Sequence, residues 1–231
     1  MPATPLLPTG PRARVRQGVV PIARGLGRLG LTPNALTLIG FSIAVVAAYF
    51  AATQAWLTAG ILVIVGAVFD LFDGALARAT NQTSRLGAFL DSTFDRWGEG
   101  VVYVGIIIGG IAAGFAEVAV AAGAAMAAAF MVSYTRAKSE SLGFTPGSGM
   151  ASVGVAPREV RIVILTVGLL LAGRGPINVT PPPGAVCIDI CVEPGGIAFL
   201  GSLALITILA TITTIQRIFH VYREAKKQEQ Q

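Results

Sequence analysis

Charge is what this chain has least of. Only 13% of its 231 residues are charged, against 54% hydrophobic, whereas a soluble domain carries about a quarter charged residues. With a mean hydropathy of +0.72, that scarcity excludes an ordinary soluble domain and indicates an all-α integral membrane protein. Histidine occurs once and cysteine twice. Cys187 and Cys191 have no His or further Cys nearby, so they do not make a metal site. They are either a disulfide of an oxidising compartment or two unpaired thiols. Internal repeats are absent. So is a cleavable signal peptide, because the basic residues of 12–16 lead into a Gly- and Arg-punctuated stretch, with no uninterrupted apolar core. The net charge of +5 does not signal nucleic acid, since the positions of the basic residues have another explanation.

Apolar runs of membrane length fall at 35–53, 54–77, 86–112, 116–139, 159–173 and 195–221. They predict six transmembrane helices, the fifth short enough to need its flanks. Placing the N-terminus in the cytoplasm puts 16 of the 17 Lys and Arg residues on that side and leaves only Arg174 outside. The positive-inside bias then orients a multi-pass protein of the plasma membrane with both termini cytoplasmic. Residues 1–14 form a disordered tail. Residues 15–31 (VRQGVVPIARGLGRLGL) alternate apolar positions and arginines in the manner of an amphipathic helix lying in the interface. One domain spans 32–223, and 224–231 is a basic, polar tail. Thr32-Pro33-Asn34 starts the first spanning helix, where capping is one reading and an anionic or nucleotide ligand at the helix N-terminus another. Trp56 fits an interfacial anchor. The loop 142–157, rich in Gly, Ser and Pro, is a lid or a plain connector. The outer loop 174–194 has no assignable role.

The chain is organised around residues 69–96, FDLFDGALARATNQTSRLGAFLDSTFDR. Asp70 and Asp73 lie one helical turn apart, as do Asp91 and Asp95, and a helix hairpin turns the two pairs toward each other. Acidic residues in apolar runs cost several kcal/mol unless paired, hydrated or bound to a cation. Hard oxygen donors without His or Cys select Mg²⁺, Mn²⁺ or Ca²⁺ over zinc. Four carboxylates can hold two such ions, an arrangement suited to phosphoryl chemistry. Gly74, Ala77 and Gly87 permit either close helix packing or close approach of a ligand. Arg78 could pair with Asp73, snorkel, or clamp a diphosphate.

The spacing D-x2-D-G-x2-A-R-x8-G-x3-D-x3-D, met at every defined position by Asp70, Asp73, Gly74, Ala77, Arg78, Gly87, Asp91 and Asp95, resembles the signature of the CDP-alcohol phosphotransferases. The resemblance implies a six-helix, homodimeric membrane enzyme that moves a phosphatidyl-type group from a CDP-linked lipid to an alcohol and releases CMP. It implies that Asp70, Asp73 and Asp91 bind two Mg²⁺ ions, with Mn²⁺ an alternative. Asp95 would be the general base and a ligand of the second ion. Gly74, Arg78 and Ser84 would hold the CDP moiety, with Thr32, Pro33, Asn34 and Ala35 closing over the cytidine.

The acceptor is read from cations outside the signature. Arg136, Lys138, Arg158, Arg161 and Arg217 sit at cytoplasmic ends of the last three helices. Singly, each is a positive-inside anchor; together they suit an acceptor that is itself anionic. Arg158 and Arg161 share a helix face. The segments PIARGLGRLGLTPN (21–34) and SYTRAKSES (133–141), Arg158-x2-Arg161 and Gln216-Arg217 are similar to the phosphatidylinositol phosphate synthases of actinobacteria and their archaeal relatives. That similarity implies inositol 1-phosphate as acceptor and CDP-diacylglycerol, or an archaeal diether counterpart, as donor. The alternative within the class is a phosphatidylglycerophosphate synthase using glycerol 3-phosphate. A divalent-cation transporter, the alternative from another class, would place its acids near mid-membrane with a path to the other side.

Overall fold

The six apolar runs form six α-helices: α1 (Pro33–Ala52), α2 (Trp56–Ala79), α3 (Arg85–Ala112), α4 (Ala116–Ser141), α5 (Arg158–Ala172) and α6 (Pro194–Glu229). The computed structural model describes residues 21–23, 25–144, 153–174 and 194–230, and among them there is no strand. Expectations for the N-terminal tail and residues 15–20, Arg24, positions 145–152 of the loop, and Cys187 and Cys191 lie outside the described residues.

Four of the helices end in the same way, which explains how short links reverse the chain. After α1, α2, α3 and α4 the backbone turns left-handed at Gln54 (φ 64°), Asn81 (φ 54°), Gly114 (φ 71°) and Gly143 (φ 77°). In each case the next N–H reaches back to a carbonyl in the last turn: Ala55 to Phe50, Gln82 to Ala77, Phe115 to Gly110 and Phe144 to Ser139. This six-to-one closure satisfies helix carbonyls that would otherwise lose their partners. Glycine makes the left-handed turn without strain, whereas Gln54 and Asn81 make it against the usual steric preference.

Helices α1, α2, α4 and α6 are long and apolar enough to cross a membrane. The other two differ for physical reasons. Helix α3 has 28 residues, but Arg85, Asp91, Asp95, Arg96 and Glu99 all fall between Arg85 and Glu99, toward its start. Helix α5 has 15 residues, about 22 Å at 1.5 Å per residue, which is shorter than a hydrocarbon core of about 30 Å. At the C-terminus the helix runs on through the expected tail to Glu229, where Lys227 pairs with Glu224 at 2.7 Å.

The chain divides into two units. The first contains the residues up to Ser42 together with Val65–Asp95. Its small core is Ala23, Leu36, Ala75 and Leu76, with Leu26, Leu31, Ile39, Phe69 and Phe72 packed against it. Residues 21–23 and 25–28 are helical; Ala23 is buried, whereas Ile22 and Leu29 are exposed. Phe41 and Phe94 stack in a tilted pair at 5.1 Å.

The second unit contains Ile43–Ile64 and Arg96–Gln231, with α4 and α5 packed on α6. Its core is built on Trp56, Tyr103, Ile106, Leu169, Phe199 and Leu203. Trp56 departs from expectation. It is 3% exposed and packs on Phe199 with ring centroids 5.3 Å apart, so it is a core residue and not an interfacial anchor. Small residues bring the backbones together: a Cβ on Gly105 would stand 2.7 Å from Ala48 Cα, and one on Gly109 would stand 2.7 Å from the Trp56 ring. Overpacking of this kind costs about 1–3 kcal/mol. Gly105→Ala should therefore lower the melting temperature in detergent. Gly123→Ala, where a Cβ meets nothing within 4 Å, should leave it unchanged or raise it.

Candidate active site

The signature residues all belong to the first unit, and helix geometry explains their spacing. Asp70 and Asp73 lie on the last turns of α2. Gly74 and Arg78 follow at i and i+4, on one helix face. A Cβ on Gly74 would stand 3.2 Å from Arg78 Nη1, so the glycine lets the guanidinium fold back along the helix toward the aspartates. Arg78 remains exposed at the helix end.

Two helix N-termini meet within the same unit. The Thr32 hydroxyl accepts the Ala35 N–H at 3.2 Å and caps α1. The Ser84 hydroxyl accepts the Gly87 N–H at 2.9 Å and caps α3. A Cβ on Gly87 would stand 3.0 Å from Ser84 Oγ and 3.4 Å from Asn34 Oδ1, which places the start of α1 against the start of α3. Capping uses each hydroxyl only as an acceptor, so both retain an O–H to donate. Paired helix N-termini carry partial positive charge and unfilled N–H groups, the arrangement that receives phosphate.

Asp73 is the most enclosed of the four carboxylates, at 4% exposure. Its Oδ2 accepts a hydrogen bond from the Thr37 hydroxyl at 2.8 Å, while Asp70 and Asp91 add like charge around it. On the next turn of α1, a Cβ at Gly40 would stand 2.8 Å from Asp70 Oδ1. One face of α1 therefore supports both aspartates of α2, through Thr37 and Gly40. Sequence reasoning missed these two residues. The available signal was weak: a threonine and a glycine at i and i+3 in an apolar helix, a pattern shared with ordinary helix packing.

No three carboxylates gather tightly enough to enclose an ion among the described residues; Asp70, Asp73, Asp91 and Asp95 line the site as separate groups on two helix ends. The donor set nevertheless fits a hard divalent cation. It is all oxygen, it includes a buried carboxylate held in one orientation by a hydroxyl, and like charges crowd it.

The cations expected to hold an acceptor belong to the second unit, and the structure sorts them. Arg136 is exposed on α4 and pairs with Glu140 at 2.9 Å. Lys138 is exposed two residues further on, and Arg158 is half-buried at the start of α5. Arg217 is buried on α6, with Nε donating to the Val153 carbonyl at 3.0 Å and Nη1 to the Val132 carbonyl. Arg161 differs from expectation. It is 1% exposed and gives Nε and Nη2 to the two oxygens of Glu99 at 3.0 and 2.9 Å. Glu99 thus orients this guanidinium, and Arg96 approaches the same carboxylate at 3.9 Å.

Comparison with known proteins agrees with this geometry. Residues 30–180 match the CDP-alcohol phosphatidyltransferase family. Archaetidylinositol phosphate synthase of Pyrococcus horikoshii is 37% identical over 216 residues, covering 94% of this chain and 95% of the relative. Phosphatidylinositol phosphate synthase of Cutibacterium acnes is 32% identical, covering 88% and 91%. Among solved structures, Mycobacterium tuberculosis phosphatidylinositol phosphate synthase with CDP-DAG bound superposes with a TM-score of 0.71 at 27% identity, over 88% of this chain and 93% of that one. The same enzyme has been solved in complex with manganese and citrate. The match spans the whole signature hairpin, and by it the chain belongs to the CDP-alcohol phosphatidyltransferase family and is a membrane enzyme of that type.

Proposed function

We propose that this enzyme transfers a phosphatidyl group from CDP-diacylglycerol, or an archaeal-type CDP-lipid, to inositol 1-phosphate, giving phosphatidylinositol phosphate and CMP. The observation that carries the donor half is the course of α1. Its capped start meets Gly87, and its next turn holds Asp73 through Thr37. One helix thus lines both a phosphate-receiving end and two of the four carboxylates, Asp70 and Asp73. The acceptor half is supported by the relatives named as inositol phosphate synthases and by the cations of α4, α5 and α6.

In this reading Asp70, Asp73 and Asp91 hold two Mg²⁺ ions, Mn²⁺ being an alternative, and Asp95 shares the second. Bound there, the ions would neutralise phosphate oxygens and stabilise the attacking and leaving oxygens. Gly74, Arg78 and Ser84 hold the CDP moiety, and Thr32, Pro33, Asn34 and Ala35 close over the cytidine. Arg136, Lys138, Arg158, Arg161 and Arg217 hold the acceptor's phosphate. Asp95 takes the proton of an inositol hydroxyl, whose oxygen attacks the lipid-side phosphorus in line. The bond from that phosphorus to the CMP oxygen breaks, with Arg78 beside the leaving phosphate.

The surrounding arrangement follows the distribution of charge. A domain over 32–223 spans the plasma membrane six times, with α5 completed by its flanks. Residues 15–31 lie in the interface, and both termini and the site face the cytoplasm, where nearly all Lys and Arg fall. Two copies of the chain form the working dimer.

Three outcomes test this reading. With CDP-diacylglycerol and labelled acceptors, purified enzyme should incorporate inositol 1-phosphate; incorporation of glycerol 3-phosphate alone would sink the acceptor assignment. Asp95→Asn should abolish turnover while CDP-lipid still binds, and full activity in that variant would remove Asp95 as the base. Thr37→Val should lower kcat/KM about tenfold or more, the loss expected for a hydrogen bond to a charged group. Thr37→Ser should restore most of that activity, and metal titrations of both variants would locate the loss at the carboxylates.

A further inference from the structure

The short helical segment ahead of α1, residues 21–23 and 25–28, has two apolar faces. Ala23, fully buried, and Leu26 pack into the cluster formed by Leu36 of α1 and Ala75 and Leu76 of α2. Gly27 makes a closer approach: a Cβ there would stand 2.8 Å from Leu76 Cδ1 and 3.9 Å from Thr80 Cγ2. Leu76 is fully buried, so its side chain cannot swing out to make room, and glycine is what seats the segment on α2. The opposite face carries Ile22 and Leu29, seven positions apart and so on one side of a helix. They are 55% and 79% exposed, and the Leu29 N–H still reaches the Gly25 carbonyl at 3.2 Å.

Leu76 lies among the groups of the site, three positions after Asp73 and two before Arg78. The Thr80 hydroxyl donates to its carbonyl at 2.8 Å. The far end of the segment is joined as closely to α1. The Leu31 N–H reaches back to the Leu26 carbonyl at 3.2 Å across Gly30, which is left-handed at φ 86°. This is the same six-to-one closure that ends four of the longer helices, and Thr32, the cap of α1, is the next residue. Seat and closure thus tie one short segment to both the end of α2 and the start of α1.

The outward face has a partner of a different kind. Leu29 stands four positions before Pro33, where a helix long and apolar enough to cross a membrane begins. The segment therefore sits at the level where that helix leaves the bilayer. An apolar stripe there, with the exposed Arg28 beside it, suits acyl chains beneath and lipid phosphates around it.

We propose that this segment couples the membrane surface to nucleotide recognition: Ile22 and Leu29 insert among the phospholipids, and the seat at Gly27 passes that anchorage to the end of α2 and the start of α1. The bilayer is then a positioning partner of the CDP pocket as well as the source of the lipid substrate. The proposal rests on the CDP-lipid reading above and gives Ile22, Gly27 and Leu29 no contact with substrate.

The test uses the full enzyme in nanodiscs of phosphatidylcholine and phosphatidylglycerol. Fluorescence of the Leu29→Trp variant should be quenched by brominated acyl chains beyond the wild-type background of Trp56 and Trp97; no added quenching would overturn the lipid partner. Ile22→Gln combined with Leu29→Gln removes the outward stripe and keeps the seat, whereas Gly27→Ala presses on Leu76 and keeps the stripe. In each, the KM for CDP-diacylglycerol should rise about fivefold or more while the KM for the phosphorylated acceptor stays within about twofold. Free CDP, which has no acyl chains to deliver, should lose affinity by a similar factor in both, with the melting temperature of the double variant held. Unchanged CDP affinity would overturn the coupling, because the segment would then only gather lipid substrate. Equal rises in both KM values would overturn it too, by showing a general loss of structure. A wild type that binds no CDP would instead remove the donor reading itself, and the proposal with it.

Discussion

A carboxylate buried at the end of an apolar helix must be offset, and this chain meets that constraint in two chemically different ways. Glu99 is offset by a guanidinium that matches it oxygen for nitrogen. Asp73 is offset by a hydroxyl, an uncharged donor, among further carboxylates that increase its charge problem. The first arrangement is closed, with Arg96 as a second cation 3.9 Å from the same carboxylate. The second gathers negative charge around one buried carboxylate with half-buried ones beside it, and that demand is what a divalent cation and a diphosphate would satisfy. Two buried acids in one protein therefore carry opposite meanings. Partner chemistry, more than burial, separates a structural acid from a catalytic one.

The same division runs through the helix termini. Four C-termini are closed locally, by backbone reaching back across a left-handed residue, and ask nothing of a ligand. The starts of α1 and α3 are capped by single hydroxyls, which satisfy only one of the four N–H groups each helix start leaves open. Bringing those two starts together at Gly87 concentrates donors where the nucleotide diphosphate of the proposed donor would lie. Glycine at that position eases the approach, since a Cβ would stand 3.0 Å from Ser84 Oγ and 3.4 Å from Asn34 Oδ1. The invariant-looking spacing of the signature thus has separable causes: one turn between aspartates, one turn from Gly74 to Arg78, and one close approach at Gly87.

Much of this was legible in the sequence because it depends on local pattern. The six helices lie within a few residues of the apolar runs, apart from the longer end of α6, and the signature fixed the hairpin and the family. What escaped depends on tertiary partners. Trp56 has the sequence context of an interfacial anchor, and only the approach of Phe199 makes it core. Arg161 shares a helix face with Arg158, so periodicity groups them. Glu99, 62 positions away in sequence, gives Arg161 a buried partner that periodicity could not show. Thr37 is one threonine in an apolar helix until Asp73 lies 2.8 Å from it. Helix length by itself left the span count open, because the charges of α3 and the brevity of α5 break the pattern that the other four obey.

Scarcity of charge makes such pairings unusually informative. In a soluble domain an arginine near a glutamate is one pair among many and carries little energy. Here, within apolar helices, each ionised group needs a specific reason to be present, and the reason is readable from its neighbours. Arg217 meets backbone carbonyls, which orient a guanidinium without neutralising it; Arg161 meets a carboxylate that it shares with Arg96. A carbonyl-held arginine keeps its whole charge for a ligand, whereas one that shares a carboxylate with a second arginine keeps part of it. That distinction, invisible in a count of basic residues, is set by tertiary partners.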